Sequence, residues 1–143
     1  MYIVLQSVSK SLNKDSTGTL AAVMGESAPI TVNGVNPSVN SGIQAVYLNQ
    51  NKFAFRSIQT GKYISATADG RLVASANNVT DSESFIYTDS GNGNGTLLAV
   101  SNKRFLIMDP DTYQISATGA GVSNDNGRWM MLYPNPTALG VVK

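Results

Sequence analysis

The stretch "QTGKYISATADGRLVASA" (residues 59–76) reads as a β-hairpin: an alternating run, a tight turn at Asp69-Gly70, and a second alternating run. Its meaning depends on whether it recurs. Shifting the chain by 42 residues lays Phe55-Arg56-Ser57-Ile58 over Leu97-Leu98-Ala99-Val100, Lys62-Tyr63-Ile64 over Arg104-Phe105-Leu106, and Asp69 over Asp111. The hairpin then lies on "NKRFLIMDPDTYQISA" (102–117), and with two more residues inserted Phe85 and Tyr87 fall on Trp129 and Met131. A looser copy precedes both. Leu5-Gln6-Ser7-Val8 matches Phe55-Arg56-Ser57-Ile58, "STGTLAA" (16–22) matches "QTGKYIS" (59–65), and Ile30-Thr31-Val32 matches Leu72-Val73-Ala74. Val46 and Leu48 fall on Phe85 and Tyr87, and extra residues from Ser9 to Asp15 lengthen one loop.

Alternating runs predict strands at 3–8, 19–23, 30–32, 44–48, 53–58, 63–66, 72–76, 84–88, 96–100, 105–108, 113–117 and 129–133, with no helix. Between them lie Asn, Asp, Gly, Pro and Ser, the residues of turn chemistry. The class is all-β. Twelve short strands in three four-stranded repeats, at about 1–50, 51–92 and 93–143, predict one β-trefoil domain over residues 1–143. Six strands close a short barrel and six form hairpins capping one end, so few edges stay exposed. Leu5, Phe55 and Leu97 on the first strands and Val46, Phe85 and Trp129 on the fourth are the predicted shared core. The rings of Trp129 and Tyr63 are assigned to that core rather than to a ligand platform.

Composition excludes much chemistry. The chain has 143 residues, 42% hydrophobic and 13% charged, with a formal charge of +1, which predicts a soluble globular domain with no nucleic-acid stripe and no membrane insertion. Without cysteine it makes no disulfides, and without histidine it has neither a Ser-His-Asp or Cys-His centre nor the usual zinc set. A carboxylate pair drawn from Asp69, Asp81, Asp109, Asp111 and Asp125 remains as glycosidase chemistry, but each lies among turn residues and reads as a turn former. The expectation is a protein that is not an enzyme and has no cofactor or metal. No signal segment is visible ahead of the first strand, so a cytoplasmic location is expected, and the sequon Asn78-Val79-Thr80 reads as chance. "GNGNG" (91–95) lacks the Lys-Ser or Lys-Thr of a phosphate loop and reads as a flexible joint between the second and third repeats.

Phe55-Arg56-Ser57, Thr60-Gly61-Lys62-Tyr63-Ile64-Ser65-Ala66, Asp69-Gly70-Arg71-Leu72-Val73-Ala74 and Glu83-Ser84-Phe85 resemble the repeat of the fascin-like β-trefoils. In length and in its Asn/Gly/Ser-rich loops the chain is similar to the Boletus-type β-trefoil lectins of fungal fruiting bodies. That resemblance implies a carbohydrate-binding protein for galactose- or N-acetylgalactosamine-containing glycans and glycoproteins, with up to one site per repeat, agglutinating activity and a homodimeric state. The ricin-type Gln-x-Trp triplet is not intact, being Gln44-Ala45-Val46, Glu83-Ser84-Phe85 and Gly127-Arg128-Trp129, so its ligand residues do not carry over.

A galactose needs short, fixed donors and acceptors over an apolar face. On trefoil loops beside the second and third strands and before the fourth, the candidates in the third repeat are Asp109 and Asp111, with Tyr113 as stacking surface, and Asn124, Asp125 and Asn126. Those in the second are Asp69, Arg71, Asn77 and Asn78, and in the first Asn33, Asn36 and Asn40. Each asparagine alone also fits a left-handed turn former; their clustering before the fourth strand in all repeats favours a sugar. Two alternatives stand beside the lectin: a fascin-like actin-binding module, and a trefoil protease inhibitor presenting the loop 9–15 or 33–42.

Overall fold

The computed structural model describes residues 1–10, 12 and 19–141. Twelve strands follow in order: β1 (Tyr2–Ser7), β2 (Leu20–Ala22), β3 (Thr31–Gly34), β4 (Ile43–Asn49), β5 (Lys52–Ser57), β6 (Tyr63–Ala66), β7 (Leu72–Ala76), β8 (Phe85–Asp89), β9 (Gly95–Ala99), β10 (Arg104–Met108), β11 (Ile115–Gly119) and β12 (Trp129–Leu132). Antiparallel pairs β1·β4, β4·β5, β5·β8, β8·β9, β9·β12 and β12·β1 close a six-stranded ring. The pairs β2·β3, β6·β7 and β10·β11 are the three hairpins of the cap. This is the predicted β-trefoil.

The threefold repeat is visible in the core. Leu5, Phe55 and Leu97 are buried together with Ile30, Leu72 and Ile115, and with Ala21, Ile64 and Leu106, one residue of each set from each repeat. Each large side chain so buried contributes roughly 1.5–3 kcal/mol. Backbone irregularity repeats as well: a bulge falls at Leu20/Ala21, Tyr63/Ile64 and Phe105/Leu106, the same place in all three hairpins. An extra residue there bends each hairpin over the barrel mouth. The motif hydrophobe-x-Ser at the end of β1 and β5 has a physical cause, because buried Ser7 and Ser57 accept the backbone N–H groups of Ser9 and Thr60 at 3.1 and 3.3 Å.

Two expectations change. On the fourth strand of the first repeat the core residues are Ile43 and Ala45, whose cross-strand partners Ser57 and Phe55 fix the register. Val46 is half-buried rather than core: it lies three residues from Ile43, and an odd shift along a strand turns a side chain to the opposite face. Tyr63 is likewise half-buried, whereas Trp129 is fully enclosed and its indole N–H donates to the Leu106 carbonyl at 3.1 Å. "GNGNG" does join the second repeat to the third, as the turn of the β8·β9 hairpin, closed by Ser90 N–H donating to Asn94 O at 2.8 Å, with Gly91 and Gly93 at positive φ.

Three short 3-10 elements were not expected, at Asp81–Glu83, Asp125–Gly127 and Pro136–Leu139. Pro136–Leu139 forms a 3-10 turn capped by the Asn135 side chain and ended by left-handed Gly140, and it inserts Leu139 against Val4 and Leu20 outside the barrel. Asn at the cap, Pro just inside and Gly just past the end are its sequence signals.

Candidate functional site

The third hairpin is the hub of the cap. Val32 N–H donates to Tyr113 O at 2.7 Å, Ile115 N–H to Ile30 O at 2.8 Å, and Ala117 N–H to Gly70 O at 2.6 Å, so the first and second hairpins both rest on β11 and its approach. Beside this hub, between β10, β11 and the short 3-10 turn Asp125–Gly127, lies a cleft of about 430 Å³. That volume lies within the range of small-molecule sites.

Local chemistry builds its walls. Asp109 starts a tight turn: its Oδ1 accepts the N–H groups of Asp111 and Thr112 at 2.8 and 3.3 Å, and Tyr113, at φ 63°, closes the turn by donating N–H to Asp109 O at 2.7 Å. Ser116 and Thr118, two apart on β11, share one face and a 2.9 Å hydroxyl–hydroxyl bond. Opposite them, Asn124 caps the 3-10 turn by accepting Asn126 N–H at 3.0 Å. Its amide NH₂ is not engaged by that bond. Ile107 and Pro110 supply the apolar part of the lining, while Met108 behind them is buried in the barrel core.

Two positions beside the cleft differ between the repeats. Glu83 and Ser65 of the second repeat correspond to Gly127 and Ile107 of the third. Ile107 leans over two glycines: an added Cβ would meet its side chain at 2.5 Å from Gly119 and 2.7 Å from Gly127. Where the second repeat buries a carboxylate, the third has an apolar surface.

Of the predicted residues, Asp109, Asn124 and Asn126 come together in this cleft although they lie far apart in sequence. Asn126 also accepts a hydrogen bond from the Ser9 hydroxyl, and Asp125 accepts Lys10 N–H at 3.1 Å, so both clamp the chain after β1. Asp111 is exposed, and Tyr113 is half-buried and packs against the barrel core; neither lines the cleft. Gly119, Gly121 and the hydroxyls of Ser116, Thr118 and Ser123 were not predicted.

In the second repeat, Asp69 lies in a separate cleft of about 340 Å³. The Thr67 hydroxyl, and after it the Arg71 N–H, hold its carboxyl below the usual range. Arg71 begins the approach to β7 and bridges Ser116, while Asn77 accepts a hydrogen bond from Lys62 Nζ and Asn78 is exposed. In the first repeat, Asn33 and Asn36 are exposed and apart from Asn40, whose carbonyl accepts Val23 N–H at 2.8 Å; none of the three lines either cleft. Most of the loop 9–15 lies outside the described residues. No helix among the described residues is long and apolar enough to cross a membrane, and no group of three or more acidic residues among them could hold a metal.

Residues 35–131 match the family described as Fascin domain. Among solved structures, the designed threefold-symmetric protein ThreeFoil superposes with a TM-score of 0.70 at 16% identity, covering 93% of this chain and 99% of its own. A mosquitocidal holotoxin superposes with a TM-score of 0.77 at 9% identity, covering 94% of this chain and 17% of the toxin. At such identities these likenesses concern the fold alone. No curated protein gives a significant sequence match.

Proposed function

The chain belongs to the Fascin domain family, and from that premise we propose that it is a carbohydrate-binding protein, not an enzyme, whose site is the cleft of the third repeat. The observation that carries this reading is convergence: a carboxylate, two amides and the β11 hydroxyls meet beside an apolar surface. A pyranose ring has the matching chemistry, with hydroxyls around its rim and an apolar face. Galactose and N-acetylgalactosamine are the proposed sugars, with one well-formed site per chain. Agglutination then requires association, and two copies joined through the exposed apolar strip of Val35, Pro37, Leu132 and Tyr133 would present two clefts on one body.

Gly121 offers the clean test. Its φ is not left-handed and an added Cβ meets nothing within 4 Å, so a large side chain there fills the cleft mouth without disturbing the core. Retention on immobilised galactose and binding across a glycan array are expected for the natural chain and lost in Gly121→Phe with unfolding unchanged. Absence of binding to every glycan by the natural chain sinks the proposal, most clearly if the protein instead sediments with actin filaments or inhibits a protease.

A further inference from the structure

The two clefts adjoin. Thr118 lines both the third-repeat cleft and the cleft of Asp69, so the wall between them is one exposed side chain on β11. The hairpin-2 turn cannot drift from this wall, because Gly70 is seated on β11: its carbonyl accepts Ala117 N–H at 2.6 Å. The second cleft differs in charge from the first. Arg56 donates to Gly61 O and Arg128 to Ser90 Oγ, and Arg71 faces its neighbour Asp69. Among the described residues the guanidinium groups of Arg71 and Arg104 have no hydrogen-bond or ion-pair partner, and of these two Arg104 lines the second cleft. The Asp69 carboxylate, by contrast, is engaged by the Thr67 hydroxyl and the Arg71 N–H. The second cleft therefore carries one carboxylate and one guanidinium, and it is the Arg104 guanidinium whose donors are left open for a ligand.

We infer that the site runs over Thr118 into the second cleft, and that its ligand is an anionic glycan: a sugar in the third-repeat cleft carrying a carboxylate or sulfate group that Arg104 binds. This rests on the carbohydrate reading proposed above. A guanidinium suits either anion through paired N–H donors, so the shared chemistry is a planar or tetrahedral oxyanion one residue away from the first sugar.

Calorimetric titration with lactose, a sialylated lactose and a sulfated lactose tests it and separates the two anions. At least one acidic glycan is expected to bind about tenfold more tightly than lactose, the scale of one charge-assisted hydrogen bond. The preference should shrink with added salt, disappear in Arg104→Gln, and survive in part in Arg104→Lys, while lactose binding stays unchanged in both. Equal affinity for neutral and acidic glycans, or an acidic preference that persists in Arg104→Gln, overturns the extension and leaves the carbohydrate reading standing. No binding of any of the three overturns the extension, and absence of binding to every glycan overturns both.

Discussion

The Ser65 hydroxyl donates a 2.5 Å hydrogen bond to the buried Glu83 carboxylate, tying the second hairpin to the turn that precedes β8. The same carboxylate accepts Thr80 N–H at 2.8 Å and the Thr80 hydroxyl at 2.6 Å, completing a capping box around Asp81–Glu83. Three donors on one buried acid make this the most heavily bonded carboxylate among the described residues, and in the third repeat Gly127 stands in its place.

Burial alone would push the Glu83 carboxyl up, but the hydrogen bonds from Ser65 and Thr80 outweigh it and hold the group below its ordinary value of 4.5. A depressed folded value means that the stabilisation is fully present above that ordinary value and is lost as pH falls through the folded one. Glu83→Gln is therefore expected to cost about 1–3 kcal/mol near neutral pH. The deficit should narrow on acidification. Urea unfolding of both proteins near neutral pH and near about pH 3 checks this, and a deficit that stays constant across that range would remove the ionised carboxylate from the account.

Gly70 and Gly61 both have positive φ, but they differ in surroundings. An added Cβ at Gly70 would lie 2.5 Å from the Ala117 carbonyl oxygen, and at Gly61 it would meet nothing within 4 Å. Gly61→Ala is expected to cost about 1 kcal/mol from backbone strain alone. Gly70→Ala should cost clearly more, because the second hairpin must lift from β11. Thermal unfolding of the two variants decides it, and equal losses would mean that the contact with β11 gives way without cost.

Trp129 is the chain's single tryptophan and is 1% exposed, so its emission should be blue-shifted in the folded protein and move to the red on unfolding. Trp129→Phe removes the N–H bond to Leu106 O and leaves part of the barrel centre unfilled. A loss of about 1–3 kcal/mol in chemical denaturation is expected. A red emission maximum in the native state would contradict the burial of this ring.

Fold and site were unequally legible. Strand positions could be read because alternation records which face is buried, and all twelve runs became strands. The register error at Val46 arose where the first repeat is most divergent: small Ala45 carries no large-residue signal, so a three-residue slip onto Val46 preserved a plausible pattern. The site was harder because Asn and Asp serve turns and ligands alike. Asn124 and Asp109 do both here, bonding their own backbone neighbours while lining the cleft. Part of the lining is an absence of side chain, at Gly119 and Gly121, which polar-residue reasoning does not register.

The comparison of repeats leads to the sharpest test of the site. Gly127→Glu alone brings a Cβ to within 2.7 Å of the Ile107 side chain and 3.0 Å of Val122, so it strains the cleft wall. Ile107→Ser removes the first obstacle and at the same time supplies the hydroxyl that Glu83 has in Ser65. The double variant Ile107→Ser with Gly127→Glu therefore rebuilds the second repeat's buried pair in the third and replaces the apolar surface with a satisfied carboxylate. Its stability should exceed that of Gly127→Glu alone, a coupling that a double-mutant cycle in urea measures. Glycan binding should be lost in the double variant while the barrel, reported by Trp129 fluorescence, stays folded. Retained binding with the pair in place would mean that the apolar surface at Ile107 is not where a sugar rests.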